Sequence, residues 1–195
     1  MKRHWIRSTI IILLCSLSGC VSASRAVVDP SFPKVSYNDL RKLDQPLQLK
    51  LSTEFQRNGQ PFPQADSTLR DTAERVLRAT GLIQPATEGK DGEIRIVVNN
   101  IADMGNARAK GIGTGLTFGA LGTTVTDAYS MNVKIIKAGG ETFQKDGIKH
   151  SLHTAIGNTS LPAGLEVLPP GTAFGRVVEQ MLIKALKDLQ ETSNL

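Results

Sequence analysis

Hydrophobic positions along this chain change period several times, and each change marks an element. Leu47, Leu49 and Leu51 alternate with Gln48, Lys50 and Ser52, which predicts a half-buried strand. A turn-rich patch from Asn58-Gly59 through Pro61 and Pro63 follows. Leu69, Ala73, Val76 and Leu77 then fall on one helical face, with Ser67 or Thr68 as cap and Gly81 as stop, so a helix is predicted over 68–80. Ile94, Ile96 and Val98 mark a second strand, and Tyr129, Met131, Val133 and Ile135 a third. Gly139-Gly140 permits positive φ at both positions, so the chain is expected to turn and return antiparallel from Glu141. Ile148, His150, Leu152, Thr154 and Ile156 form the inward set of that fourth strand, with a bulge or second turn at Asp146-Gly147. Phe174, Val177, Val178, Met181, Leu182, Ala185, Leu186 and Leu189 then follow the i, i+3, i+4 rule, with Arg176, Glu179, Lys184, Lys187 and Asp188 off the stripe. The order β-α-β-β-β-α predicts a two-layer α+β domain over 47–192, a mostly antiparallel sheet with two helices packed on one face.

The first 46 residues read differently. Lys2, Arg3 and Arg7 precede an apolar run from Ser8 to Leu17 that is too short to span a membrane and fits a secretory signal. It ends on Leu17-Ser18-Gly19-Cys20. That tetrapeptide resembles the cleavage motif of bacterial lipoproteins: Leu, a small residue, Gly or Ala, then Cys. The resemblance implies that the signal, residues 1–19, is cut before Cys20. It also implies that Cys20 carries diacylglycerol and an acylated amino group. Val21, where Asp would favour the inner membrane, implies sorting to the outer membrane, with the domain facing the periplasm. Residues 20–46 hold Pro30, Pro33 and Pro46 without sustained period. They are expected to form a tether, with one helical turn at Tyr37–Leu43; a packed arm is the alternative for the second half.

Charge and cysteine content narrow the partners. The signal holds three of the 23 Lys and Arg and none of the 18 acids, leaving +2 on a mature chain of 176 residues. A high whole-chain pI is therefore no argument for nucleic-acid binding. Cys15 leaves with the signal and Cys20 takes the lipid, so no disulfide pair remains. The single Trp lies in the signal, which removes an aromatic stacking platform.

One stretch breaks the pattern. Residues 111–126 hold five glycines and no charge between Arg108 and Lys110 on one side and Asp127 on the other. As a phosphate cradle it lacks the third glycine at the right offset and any following Gly-Lys-Ser/Thr. As a membrane span it is too short. If helical, Gly111, Gly115 and Gly119 align for close helix approach, with Ile112, Leu116, Phe118 and Leu121 as apolar contacts and Lys110 placed for headgroups. The bland reading is a loop over the domain's own sheet or its open edge. The insertion, the strand order and the terminal amphipathic helix resemble the surface-exclusion lipoproteins of conjugative plasmids. They are also similar to uncharacterised envelope lipoproteins that carry a stretch like Gly115-Leu-Thr-Phe-Gly followed by Thr126-Asp127-x-Tyr129. The insertion is much shorter than in the plasmid proteins, which argues against a pore-like role.

Catalytic motifs are absent from the sequence. His150 and His153 sit on opposite faces of a strand, a core-facing His150 and an exposed His153, and no Cys completes a metal site. There is no Gly-x-Ser-x-Gly, no His-Glu-x-x-His and no paired acids. Asn158-Thr159-Ser160 fits a glycosylation sequon, a reading that lapses in a bacterium. The expectation is a non-enzymatic, lipid-anchored envelope protein without cofactor or metal. It contacts the membrane, a protein partner or its own copies through Ile112, Gly115, Leu116, Phe118, Gly119 and Leu121. The alternative is a module for a small or lipid ligand held between helices and sheet.

Overall fold

The computed structural model describes residues 24–101, 123–157, 159–161 and 163–192. In chain order the elements are β1 (Arg25–Val28), β2 (Leu47–Arg57), β3 (Gln60–Pro61), α1 (Asp66–Thr80) and β4 (Ile83–Ala86), then β5 (Gly92–Ile101), β6 (Thr123–Lys137), β7 (Thr142–Ile156) and α2 (Pro170–Thr192). Short 3-10 turns stand at Tyr37–Asp39 and Pro63–Ala65. The strands form one sheet, β1-β7-β6-β5-β2-β3, with β4 also on β2. β2 runs parallel to β4 and β5, and the remaining pairings are antiparallel. Both helices touch each other and the same face of the sheet, so the fold is the expected two-layer α+β arrangement.

The alternating strands bury one side each. Leu49, Leu51 and Phe55 of β2, Ile94, Ile96 and Val98 of β5, and Met131, Val133 and Ile135 of β6 face Leu69, Val76 and Leu77 of α1 and the long stripe of α2 in one cluster. β7 joins them through a change of register. Asn132 faces both Asp146 and Gly147, because Met131 pairs with Ile148 whereas Val133 pairs with Lys145. Gly147 takes φ 68° and donates its N–H to Asn132 Oδ1 at 2.9 Å. The extra residue reverses the parity of β7, so Phe143 and Ile148, five apart, both point inward.

Several details differ from the sequence reading. α1 begins at Asp66, and neither Ser67 nor Thr68 caps it, because the Pro63 turn runs directly into the helix. Asp66 Oδ1 instead accepts the Phe55 N–H at 2.6 Å, tying the helix start to β2. Gly81 ends the helix as expected, at φ 69°. At the β6–β7 turn only Gly140 takes positive φ, at 87°. The connection is longer than two residues, with Lys137 N–H bonded to Glu141 O. Thr154 and Ile156 are half-buried, because β5 ends opposite Ala128 and the ends of β6 and β7 run on past it.

The larger correction concerns residues 20–46, read as a tether. From Arg25 onward they are packed: β1 adds to β7, and Val35 and Leu40 are buried. Two amide side chains of α2 hold the backbone of this arm. Gln180 accepts the Val35 N–H at 2.9 Å and donates to Val35 O at 3.1 Å; Gln190 does the same for Arg41 at 2.9 and 2.7 Å. Ten helical residues separate the two clamps, so the arm tracks α2 for roughly 15 Å. Ile183 and Gln190, absent from the predicted stripe, are both buried, Gln190 through its clamp on the arm. Asp188 is a further correction: expected on the polar side, it is 7% exposed and bonded to Lys184 and to Lys145 Nζ at 3.1 Å.

Candidate functional site

Cys20 and the contact residues Ile112, Gly115, Leu116, Phe118, Gly119 and Leu121 lie outside the described residues, as do 102–122 as a whole. Their roots do not. β5 ends at Ile101, an apolar side chain left 47% exposed, and β6 begins at Thr123. Thr123 pairs with Ile156 and Thr124 with Ala155, while Arg25 pairs with Ala155 from the other side. The start of β1 and the start of β6 therefore lie at one end of the sheet, two strand spacings or about 10 Å apart. No helix among the described residues is long and apolar enough to cross a membrane.

Towards the other end of β1, polar groups converge that the sequence did not bring together. Asp29 follows the strand and turns back on itself, its Oδ1 accepting the Ser31 N–H at 2.9 Å. Its Oδ2 accepts the Ser151 hydroxyl at 2.7 Å and lies 3.5 Å from His153 Nε2. His153 Nδ1 is 2.9 Å from Thr126 Oγ1. Burial works to raise the Asp29 pKa, but the Ser151 and Ser31 donors and the nearby His153 outweigh it and bring it down to about 2. His153, expected to be exposed, is half-buried through this contact.

Ser, His and Asp are thus together, yet not in the order that makes a nucleophile. The serine proton points to the carboxylate, and the imidazole is engaged by Thr126 and Asp29 rather than by Ser151. What the geometry does is fasten β1 to β7. His150 occupies the opposite face, as the alternation predicted, and is 5% exposed. Its Nδ1 accepts the Ser151 N–H at 2.9 Å, and Phe32 stacks on the ring at 4.7 Å with planes 24° apart. Burial, the largest influence, lowers its pKa. Among the described residues no group of three or more His, Cys, Asp and Glu side chains is placed to hold a metal ion. Two clefts flank the Phe32–His150 stack, one toward the loop 165–168 and the first turns of α2, the other toward Lys145–Lys149.

No family model and no curated protein matches this chain. Among solved structures it is similar to a dodecamer of a PelC variant from Paraburkholderia phytofirmans. Identity is 13%, the match covers 85% of this chain and 97% of that one, and the TM-score is 0.34. A likeness at that level carries no functional argument.

Proposed function

We propose that this chain is a lipid-anchored protein of the bacterial outer membrane, acting as a non-enzymatic binding or assembly module. Its glycine-rich segment, residues 111–126, contacts the membrane or a partner lying on it. The observation that carries this reading is the shared end of the sheet: Arg25 and Thr124 flank Ala155. Only residues 21–24 separate the lipidated Cys20 from β1, a reach of at most about 17 Å at full extension. The insertion springs from the same end, so the anchor holds its root beside the bilayer. A segment tethered so closely meets the surface at high effective concentration, and its insertion costs little additional freedom.

The space between helices and sheet supports an outer contact surface over a ligand held inside. Leu49, Leu77, Ile96, Met131, Met181 and Leu182 fill it, each fully buried.

The test is a pair of measurements on Leu116→Asp and Phe118→Asp. The proposal expects melting temperatures close to wild type together with a sharp fall in liposome flotation or in envelope crosslinking. Strong destabilisation with association intact would return the segment to the domain's own core.

A further inference from the structure

A cleft of about 280 Å³ opens at the margin of the sheet, outside the packed layer, between the arm after β1 and the start of α2. Phe32, Lys34, His150, Leu165, Leu168 and Arg176 line it. A second cleft continues past the Phe32–His150 stack toward Lys149.

His150 is the informative group. Its Nδ1 lies 2.9 Å from Ser151 N and 3.1 Å from Ser151 O; because that carbonyl already accepts the Asp29 N–H, the Ser151 N–H is assigned as the donor to Nδ1, which leaves the neutral ring's proton on Nε2. Every hydrogen bond of the ring runs through Nδ1, and no acceptor among the described residues meets Nε2. No side-chain nitrogen or oxygen among the described residues is sealed off without a partner. Nε2 therefore opens on space, and the ring lines both clefts. Held by the stack on Phe32 and met by no protein acceptor among the described residues, Nε2–H is a fixed donor facing the clefts.

The surrounding charge leans positive by a narrow margin: Lys34, Lys145, Lys149, Lys184 and Arg176 line the two clefts against Asp29, Asp146, Glu166 and Asp188, and the hydrogen bonds of Asp29 and Asp146 to neutral groups leave their charge in place. Of the acids lining the two clefts, Asp29 is engaged by Ser151, Ser31 and His153, Asp188 by Lys184 and Lys145, and Asp146 by Gln144. Glu166 alone has no partner among the described residues. Against it stand Lys34 and Lys149, which form no ion pair among the described residues, and Arg176, joined to Glu179 at 3.4 Å on an exposed turn. Gln180 lines the cleft but has both amide atoms committed to Val35.

We propose that this groove binds a small, water-soluble organic anion. An oxygen of the anion accepts the His150 Nε2–H beside Lys34 and Arg176, and its apolar body lies on Val28, Leu165 and Leu168. The volume, just under the roughly 300 Å³ at which drug-sized sites begin, limits it to a compact molecule. Five residues of β7 separate His150 from Ala155, about 17 Å along the strand from the end where the chain enters the sheet. That distance favours an anion from solution over a lipid headgroup. The site itself stands apart from the membrane reading and survives its failure.

The experiment uses the full chain in detergent with ring-labelled histidine, titrated with benzoate, with inorganic phosphate as a headgroup without an apolar body, and with phosphatidylglycerol vesicles. Benzoate is expected to move the His150 Nε2–H resonance saturably while leaving His153 in place, and phosphate to bind more weakly. Lys34→Ala combined with Arg176→Ala alters two exposed side chains and should weaken benzoate roughly tenfold or more, as loss of charge-assisted contacts does. His150→Phe keeps the stack on Phe32 and should abolish binding, with melting measured alongside. An unmoved His150 resonance, equal affinity in the double variant, or a response to vesicles alone would overturn the proposal.

Discussion

At the scale of single residues, one buried and one half-buried group set how the fold answers acid. Burial lowers the pKa of His150 beneath its ordinary 6.5, so the folded chain resists a proton that the unfolded chain accepts. Stability is then full above 6.5 and declines as pH falls below it. Asp29 adds a second decline lower down: its carboxylate stabilises the fold above its ordinary 3.8 and loses that contribution as pH drops toward about 2. Urea unfolding at stepped pH should resolve the two windows. His150→Phe should flatten the upper one, and Asp29→Asn the lower. Identical pH profiles for wild type and both variants would show that neither group carries the linkage. The arrangement behind these predictions was not legible locally. Asp29 and Ser151 stand 122 positions apart, and Asp29 sits in a proline-bearing stretch whose spacing signals nothing. The opposite-face placement of His150 and His153, by contrast, needed only the period of two.

Among the elements, legibility follows length. β2, β5, β6, β7 and both helices are long enough for their period to repeat, and each was readable. β1, β3 and β4 have four residues or fewer, and β4 contains Pro85, which reads as a breaker but is tolerated at the edge it occupies beside β2. The burial of Gln190 was hidden because the arm it clamps comes from the far end of the chain, and that of Asp188 because its partner Lys145 lies on another element, β7. α2 is the element on which the core depends most, and Leu186 is fully buried at mid-stripe. Leu186→Ala should cost about 2–5 kcal/mol, read as a fall in unfolding free energy. Gly92 opens β5 at φ 128°, where a Cβ would stand 2.0 Å from Ile136 O and 2.8 Å from Lys137 Cα. Gly92→Ala should therefore destabilise by roughly 1–3 kcal/mol through backbone strain, with further loss from that contact. A Gly92→Ala protein with unchanged melting would mean that β5 begins differently in solution.

For the whole molecule, the attachment proposed at Cys20 and the position of the sheet end would act together. Cys20→Ala should release the protein from membranes or leave it uncleaved with its signal attached, since a single acyl chain holds only marginally and several hold firmly. Normal processing with unchanged membrane content and no lipid label would remove the anchor from the account. Lengthening the short stretch between Cys20 and β1 with a flexible Gly/Ser insert should leave anchoring intact. It should weaken contact through 111–126, because effective concentration falls with linker length roughly as its −3/2 power. Retained crosslinking at every linker length would place the contact elsewhere on the domain.

The clamped arm also dictates an order of events. Its partners are the last strand and the last helix: Ser151 lies 122 positions from Asp29, Gln180 lies 145 from Val35, and Gln190 lies 149 from Arg41. A chain threaded across a membrane from its N-terminus delivers the arm first and these partners last. The arm cannot dock until nearly the whole polypeptide has crossed, and contacts of such separation are the slow ones to form. Under the proposed anchoring, the arm is until then held by none of its native partners, which would leave Cys20 open to the enzymes that cut and acylate it. Completion of the fold would then draw the domain down onto the proposed anchor.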